Sequence, residues 1–164
     1  MKVEFKVKLT RKEMFTFLIN NAYRKPMGVI SFLFGIGCFA VAGITCRQMG
    51  LQSTLLLILL GSIYTIIQPI MRWKSAGRQI AKNPVYKEEL SYSFDDKGIT
   101  VSQGESVTAK GWEECYKVAD YGKVVIIYIT VNNGIILPKA AIGSQYGEFV
   151  KLAGEHLPGR LKKI

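Results

Sequence analysis

The side chains that most often carry out chemistry in proteins are sparse and scattered in this sequence. Its 164 residues include one histidine, His156, and three cysteines. Cys38 and Cys46 belong to an apolar stretch, Cys115 belongs to a strand-like segment, and no two cysteines show C-x-x-C spacing. Metal sites need clustered histidine, cysteine or carboxylate ligands. The sequence therefore predicts no metal and no cofactor, and three reduced thiols that act as small apolar side chains.

Three pairs of adjacent acids are the remaining candidates for catalysis, at Glu88-Glu89, Asp95-Asp96 and Glu113-Glu114. General acid–base chemistry needs carboxyl groups that face one substrate, but neighbours on a strand point to opposite faces. A nucleophilic pair of Cys115 and His156 is formally possible, although no third group is evident to orient it. The glycine-rich phosphate loop and the dinucleotide fingerprint are both absent. The sequence thus predicts a protein that is not an enzyme.

Two uncharged apolar stretches follow one another in the first half of the chain and define its class. Residues 27–46 and 51–71 contain no Asp, Glu, Lys, Arg or His, and only Arg47-Gln48-Met49-Gly50 separates them. About 20 apolar residues in an α-helix span the hydrocarbon core of a bilayer. A core helix of a soluble protein would instead carry a polar stripe. The sequence therefore predicts a transmembrane hairpin over residues 27–71.

The positive charge of the chain lies beside these stretches. Residues 1–26 carry a net charge of +5 and residues 72–82 one of +4, whereas residues 83–164 hold ten basic and ten acidic residues. Basic flanks favour the cytoplasmic side, so we expect a multi-pass protein of the cell (inner) membrane with both termini in the cytoplasm. A neutral soluble domain argues against nucleic-acid binding. The basic residues beside the membrane either contact anionic lipids or only set the topology; they are Arg24, Lys25, Arg72, Lys74, Arg78 and Lys82.

Small residues line one face of the first apolar stretch. They recur at steps of three and four, at Gly28, Ser31, Gly35, Cys38, Ala42 and Thr45. Small residues let helix backbones approach closely in lipid. Two arrangements remain open: the two stretches pack against each other, which the short loop favours, or the same face forms a homo-oligomer. The few polar residues in the stretches argue against transport.

Residues 1–26 are expected to form a strand and an amphipathic helix that pack with the C-terminal domain and the membrane surface. The apolar–polar alternation from Val3 to Leu9 is typical of a half-buried strand, which must pair with strands later in the chain. Thr10-Arg11-Lys12-Glu13 is a capping box that begins the helix. After the second stretch, a charged linker helix is expected over 72–82 and ends at Asn83-Pro84.

Residues 72–164 form the predicted cytoplasmic domain, which after Pro84 consists mostly of short antiparallel strands. Strands are predicted at 87–94, 99–102, 107–112, 115–119, 123–131 and 134–137, with the third and fourth forming a pair. Asn132-Asn133-Gly134 favours a type I′ turn, and a helix over 144–157 closes the domain. The predicted class is an α+β membrane protein whose soluble part is a small β-sandwich or barrel.

Three short motifs in this domain, together with the strand, helix and hairpin before it, resemble the bacterial YcxB-like membrane protein family. The motifs are Phe94-Asp95-Asp96-Lys97-Gly98-Ile99, Gly111-Trp112-Glu113-Glu114 and Ile136-Leu137-Pro138-Lys139. The resemblance implies a C-terminal domain with a pleckstrin-homology-like fold. It implies no established activity and no catalytic residue. Cys115 departs from the aliphatic residue that is more usual after the Trp motif.

Trp112 and Lys139 are the candidate partner-binding residues, in a groove near the closing helix. The alternative is that Trp112 fills the core and Lys139 is solvated. Together these features predict a non-catalytic, membrane-anchored cytoplasmic interaction module that binds an unidentified protein or a lipid head group. The alternative function is an accessory subunit of a transporter or envelope complex that docks through the hairpin. Both rest partly on fold type, which alone does not fix function.

Overall fold

The computed structural model describes residues 2–48 and 50–163, which divide into two compact units. The first unit is rich in β-structure and combines the residues up to Phe17 with those from Arg78 onward. The second unit is helical and comprises Leu18–Gly77. The class is α+β, as predicted, with two small sheets and two helices long and apolar enough to span a membrane.

The helical unit contains the two predicted apolar helices. Helix α1 (Arg11–Tyr23) leads along the chain to α2 (Pro26–Thr45), and α3 (Leu51–Ser62) packs against α2. A single π-helical turn (Ile63–Ile67) joins α3 to α4 (Gln68–Lys82), so that one helix runs over Leu51–Lys82. It ends where the sequence predicted, and the side chain of Asn83 then accepts a hydrogen bond from the N–H of Val85 at 3.1 Å.

Glycines bring α2 and α3 into backbone contact. The buried residues of α2 are Gly35, Cys38 and Ala42, and that of α3 is Gly61. A Cβ atom at Gly35 would lie 3.2 Å from the carbonyl oxygen of Gly61, and one at Gly61 would lie 3.0 Å from the carbonyl oxygen of Gly35. Larger side chains would force the helices apart. The face of small residues is therefore covered within the chain, in agreement with the hairpin arrangement.

The first sheet is antiparallel in the order β1-β2-β3-β4. Its strands are β1 (Val3–Val7), β2 (Leu90–Asp95), β3 (Gly98–Gln103) and β4 (Ser106–Lys110). The N-terminal strand pairs with β2, from Val3 opposite Phe94 to Val7 opposite Leu90. This pairing confirms that β1 needs a strand from beyond the apolar helices. Asp95 stabilises the next turn, because its Oδ1 accepts the N–H of Lys97 at 2.8 Å.

The second sheet has the order β7-β6-β5-β8. Its strands are β5 (Lys117–Asp120), β6 (Val124–Tyr128), β7 (Gly134–Pro138) and β8 (Leu161–Lys163). The predicted pairing of 107–112 with 115–119 is wrong, since β4 pairs with β3 and β5 pairs with β6 and β8. A 3-10 turn at Trp112–Glu114 separates β4 from β5 and places Trp112 in the core. The sequence analysis also missed β8, which lies parallel to β5 after the last helix.

The connection between β6 and β7 differs from the predicted type I′ turn. The last paired residues are Tyr128 and Gly134, so that residues 129–133 form the loop. The Thr130 hydroxyl accepts the N–H of Asn133 at 3.1 Å and stabilises this wider loop. Neither Asn133 nor Gly134 has the positive φ that a type I′ turn requires.

Two further helices follow β7, at α5 (Lys139–Ile142) and α6 (Tyr146–His156). Phe149 of α6 packs edge-on against Phe94 of the first sheet, with ring centroids 5.1 Å apart. Phe17 of α1 packs against Tyr128 of the second sheet at 6.2 Å. The two sheets stay open and separate among the described residues, so the barrel alternative is wrong.

Candidate functional site

Trp112 is a core residue held by a polar contact. It is 4% exposed, and its indole Nε1 donates to the carbonyl oxygen of Asp95 at 2.8 Å. Its ring lies 6.2 Å from that of Phe94 and stacks on the imidazole of His156, with the two planes 3° apart. These contacts tie the 3-10 turn to β2 and α6. The position of Trp112 agrees with the core alternative rather than with a partner contact.

Lys139 lies in a polar cluster that we call the Asp120 cluster, formed by Asp120, Gly122, Lys139 and Tyr146. Lys139 Nζ lies 2.7 Å from Asp120 Oδ2, and the Tyr146 hydroxyl donates to the same oxygen at 2.6 Å. The N–H of Gly122 donates to Oδ1 at 2.8 Å. The ammonium also lies 4.4 Å from the centroid of the Tyr146 ring. Both oxygens of the carboxylate thus accept hydrogen bonds from the chain itself.

Electrostatics keep the Asp120 cluster charged at neutral pH. Burial acts to raise the pKa of Asp120, but the hydrogen bonds from Lys139 and Tyr146 outweigh it and lower that pKa below its ordinary value. The hydrogen bond to Asp120 in turn raises the pKa of Lys139. A carboxylate that accepts several hydrogen bonds is a weak base. The arrangement is suited to joining the end of β5 to the starts of α5 and α6.

Cys115 is a buried thiol, and its surroundings oppose nucleophilic chemistry. Burial, followed by the nearby carboxylates of Glu114 and Glu113, raises the pKa of the thiol. A higher pKa leaves less of the reactive thiolate. His156 is engaged elsewhere: its ring stacks on Trp112, and its Nε2 lies 3.5 Å from Asp96 Oδ1.

The structure separates the six basic residues beside the apolar helices into two groups. Lys25 and Arg72 line one cavity of the helical unit. Lys25 precedes α2, and Arg72 lies in the first turns of α4. The remaining four are exposed and lie outside the lining of that cavity: Arg24, Lys74, Arg78 and Lys82.

This cavity, which we call the basic cleft, has a volume of about 340 Å³. Lys25 and Arg72 share its lining with the amide side chains of Asn21 and Gln68 and the hydroxyl of Ser31. No acidic residue is found among the described residues that line it. Small-molecule sites have volumes of about 300–1,000 Å³. Two cations with two amide side chains form a lining suited to an anion of modest size.

A π-helical turn and a proline shape the wall of the basic cleft at Tyr64. In this turn (Ile63–Ile67), the N–H of Gln68 donates to the carbonyl five residues earlier and so bypasses Tyr64. The next possible helical donor to Tyr64 is residue 69, and Pro69 has no N–H. The carbonyl oxygen of Tyr64 instead accepts the hydroxyl of Tyr23 at 3.1 Å. Tyr23, the last residue of α1, thereby links this helix to the π-helical turn.

An apolar groove borders the basic cleft. It also has a volume of about 340 Å³, and it is lined by Ile19, Tyr23, Val29, Phe32 and Pro69. Tyr23 lines both cavities, and its ring meets that of Phe32 edge-on with centroids 5.8 Å apart. A cationic cavity and an apolar cavity therefore meet at one tyrosine.

The three motifs of the family resemblance lie in the β-rich unit, at the β2–β3 turn, the Trp112 turn and the end of β7. Residues 94–153 match the family model of the YcxB-like proteins. The match confirms the resemblance over a segment that includes Trp112 and the Asp120 cluster. The N-terminal strand and the helical unit lie outside this YcxB-like segment. Searches of the curated proteins and of the solved structures gave no match.

The sequence analysis identified Lys139 but missed its partners in the YcxB-like segment. Asp120 follows the apolar residues of β5 and precedes Tyr121-Gly122, and an acid at the end of a buried strand was the available signal. Tyr146 lies within the predicted closing helix, and no sequence pattern indicates that its hydroxyl donates to Asp120. No sequence pattern indicated the basic cleft, because its lining comes from segments far apart in the chain.

Proposed function

We propose that this chain is a non-catalytic, membrane-anchored module that binds a partner at the inner membrane of a bacterium. The observation that carries this proposal is the outward exposure of the apolar helices. Only 17% and 6% of the residues in their most apolar windows are buried, and Ile44 and Leu51 are 79% and 74% exposed. Soluble proteins rarely leave so much contiguous apolar surface in water, whereas a bilayer solvates it.

The pairing of β1 with β2 supports a hairpin that enters and leaves the membrane on one side. The apolar helices lie between these strands in the chain, yet Val3 pairs with Phe94 and Val7 with Leu90. Strands of one sheet occupy one compartment, so the intervening chain crosses the bilayer an even number of times. The basic residues on both flanks favour the cytoplasm as that compartment.

The polar groups of the β-rich unit support a binding role rather than catalysis. Asp120 is its buried carboxylate, and donors of the same chain occupy both of its oxygens. The thiol of Cys115 is buried with a raised pKa. Catalytic groups are usually placed so that a substrate can reach them, and these groups serve the packing of the unit.

Cys46 provides a native reporter of the proposed topology. It is exposed next to Arg47 in the loop between the apolar helices, whereas Cys38 and Cys115 are buried. In intact cells, a membrane-impermeant maleimide should label the wild-type chain and should not label Cys46→Ser. A second variant that combines Cys46→Ser with Glu88→Cys, at an exposed position of the β-rich unit, should be labelled only after the cells are opened.

Two outcomes would contradict the proposal in different ways. Labelling of the second variant in intact cells would place the β-rich unit outside the cytoplasm and overturn the topology. Release of the wild-type chain from membranes by alkaline carbonate would overturn membrane anchoring itself.

The edge strand β4 is the surface that best fits a protein partner. Among the described strands it pairs with β3 alone. Its residues Ser106 to Ala109 are exposed, and Val107 is 65% exposed. An exposed edge strand offers backbone N–H and C=O groups to an added strand. We therefore expect an extended segment of the partner to align with β4.

The accessory-subunit alternative is favoured by a different surface, on α2. A Cβ atom at Gly37 or Gly43 would meet nothing within 4 Å, so another helix can approach there. A photo-reactive residue at Val107, at Gly37 or at the control position Glu88 distinguishes the two functions. Adducts from Val107 support the module, and adducts from Gly37 alone support the accessory subunit. Equal adducts from Glu88 would show that capture is unspecific.

A further inference from the structure

We infer that the basic cleft and the apolar groove together bind one anionic glycerophospholipid, with its phosphate in the cleft and an acyl chain in the groove. This inference rests on the membrane location proposed above and assigns a specific ligand site within it. It differs from general attraction between basic residues and an acidic membrane surface. Two of the six basic residues, Lys25 and Arg72, line the site, and the other four do not.

The lining of the basic cleft fits a phosphate group that carries a glycerol or similar head. Arg72 can donate two parallel hydrogen bonds to phosphate oxygens, and Lys25 adds a second positive charge. Asn21, Ser31 and Gln68 supply uncharged polar groups for the head group. The absence of acidic residues among the described lining residues leaves the net charge of the cleft positive.

The position of the basic cleft along the chain matches the head-group level of a bilayer. Lys25 directly precedes α2, and Arg72 directly follows the second apolar stretch at 51–71. Lipid phosphates lie just outside the hydrocarbon core. Lys25 and Arg72 therefore lie just outside the two apolar stretches, where a lipid phosphate is expected.

The N-terminal end of α2 adds to the attraction for an anion. Met27 and Gly28, in the first turn of this 20-residue helix, also line the basic cleft. The side chain of Lys25, the N-cap residue, makes no capping hydrogen bond to this end of the helix. The helix dipole places partial positive charge there.

Contacts within the helical unit fix the positions of the two cavities before any ligand binds. The Tyr23 hydroxyl is anchored on the carbonyl of Tyr64, and the Tyr23 ring on that of Phe32. Gly28 permits the close approach of α1 to α2, since a Cβ atom at this position would lie 1.8 Å from the carbonyl oxygen of Ala22. A preformed site loses less entropy on binding.

The apolar groove favours a lipid over a free anion. Its lining of Ile19, Val29, Phe32 and Pro69 offers an acyl chain apolar contacts beside the phosphate. Burial of acyl methylenes from water is favourable, so a soluble short-chain lipid should bind with higher affinity than inorganic phosphate.

Native mass spectrometry of the full chain in detergent tests this inference. The probes are dihexanoyl phosphatidylglycerol, which is anionic, dihexanoyl phosphatidylcholine, which is zwitterionic, and inorganic phosphate. We expect one phosphatidylglycerol per chain. The double variant Lys25→Gln, Arg72→Gln should bind it about tenfold more weakly, which corresponds to about 1.4 kcal/mol.

Matched variants isolate each cavity. Arg24→Gln, Lys74→Gln removes the same two charge types outside the cleft and should change the affinity by less than about threefold. Val29→Trp, which fills the apolar groove, should weaken phosphatidylglycerol binding, whereas Ile30→Trp, at an exposed neighbouring position, should not. Equal losses in the two charge variants would reject the cleft in favour of diffuse attraction.

Other outcomes separate the failure of this inference from failure of the proposed function. Competition by inorganic phosphate at the concentration of the lipid would indicate a free-anion site and overturn the lipid assignment. Equal binding of phosphatidylcholine would overturn the preference for an anionic head group. If the carbonate-washed membranes retain the wild-type chain and no lipid binds, only the lipid site fails. If they release it, the membrane anchor fails as well.

Discussion

The carboxylate of Asp120 joins three elements that the chain brings together only after folding. It ends β5, and its partners Lys139 and Tyr146 begin α5 and α6. A lysine after a strand-ending proline was visible in the sequence as a candidate contact for a partner. The sequence could not show that an acid of the same chain engages this lysine, because the pairing depends on how β5 and β7 flank β6.

Replacement of Asp120 by Asn should destabilise the β-rich unit by about 1–3 kcal/mol at neutral pH, because the Lys139 ammonium loses its counter-charge. The folded-state pKa of Asp120 is lowered, so its contribution is complete above the unfolded carboxyl pKa of about 3.9. That contribution is lost as pH falls through the folded pKa. Urea unfolding of wild type and Asp120→Asn should therefore converge under acid.

A surface acid provides the control for this pH dependence. Glu105 is exposed in the β3–β4 turn, and Glu105→Gln should leave the free energy of unfolding within about 0.5 kcal/mol of wild type. A difference between wild type and Asp120→Asn that stays constant from neutral to strongly acidic pH would contradict the assigned role of the carboxylate.

Local signals in the sequence predicted where helices begin and end. The elements that the sequence did not predict depend on contacts between distant residues. Thr10 and Glu13 begin α1 as a capping pair, with the Thr10 N–H donating to Glu13 Oε2 at 2.8 Å, and Asn83-Pro84 ends α4 as expected. The strand β8 pairs with β5 in parallel, and the π-helical turn arises where Pro69 removes a donor. Neither has a periodic pattern that a short window of sequence would reveal.

The contact between α2 and α3 predicts that leucine substitutions at two glycines of α2 differ strongly in their effect on stability. A leucine at Gly35 would collide with Thr65, Tyr64 and Gly61 and should destabilise the hairpin by about 1–3 kcal/mol. Gly37 has nothing within 4 Å, so Gly37→Leu should be close to neutral. Denaturant unfolding of the full chain in detergent, followed by circular dichroism, measures both. Similar losses for the two variants would contradict the packing.

The hydrogen bond from Tyr23 predicts a rescue by a second change. Tyr23→Phe leaves the Tyr64 carbonyl without its donor and should cost about 1 kcal/mol. Pro69→Ala restores a backbone N–H that can supply the missing bond. In the Pro69→Ala background, Tyr23→Phe should therefore cost clearly less, which a double-mutant cycle of unfolding free energies detects. If Tyr23→Phe costs the same stability in both backgrounds, Pro69 is not the reason that the Tyr64 carbonyl lacks a helical donor.

At the scale of the whole molecule, several features that organise the chain are visible in the sequence. The small residues of α2, the basic flanks and the strand-rich C-terminal half were all visible. The division at Phe17 and Arg78 was not, because α1 and α4 continue through it without a break in their sequence pattern. The cleft, whose lining is drawn from 21–31 and 64–72, is a product of that tertiary arrangement and not of any motif.

The β-rich unit should fold without the apolar helices if its first strand is kept. A chain in which about 12 Gly and Ser residues replace 18–77 should be soluble and cooperatively folded, since β1 still completes the first sheet. Removal of 1–17 as well should cause aggregation, because it exposes the edge of β2 and deletes the buried Val3, Val7, Met14 and Phe17. Gel filtration and thermal unfolding compare the two. Equal stability would contradict the structural need for β1.

The pairing of Val7 with Leu90 also determines when the first sheet can form during synthesis. The first strand leaves the ribosome early, but its neighbour follows only after roughly 80 more residues, a delay of about 4–16 s at 5–20 residues per second. Throughout that interval the amino-terminal strand has no partner, and in the membrane-anchored protein proposed above the residues behind it enter the bilayer first. Completion of the first sheet is thus a late event in synthesis, and a chain that has not yet reached β2 exposes an unpaired strand to chaperones and proteases.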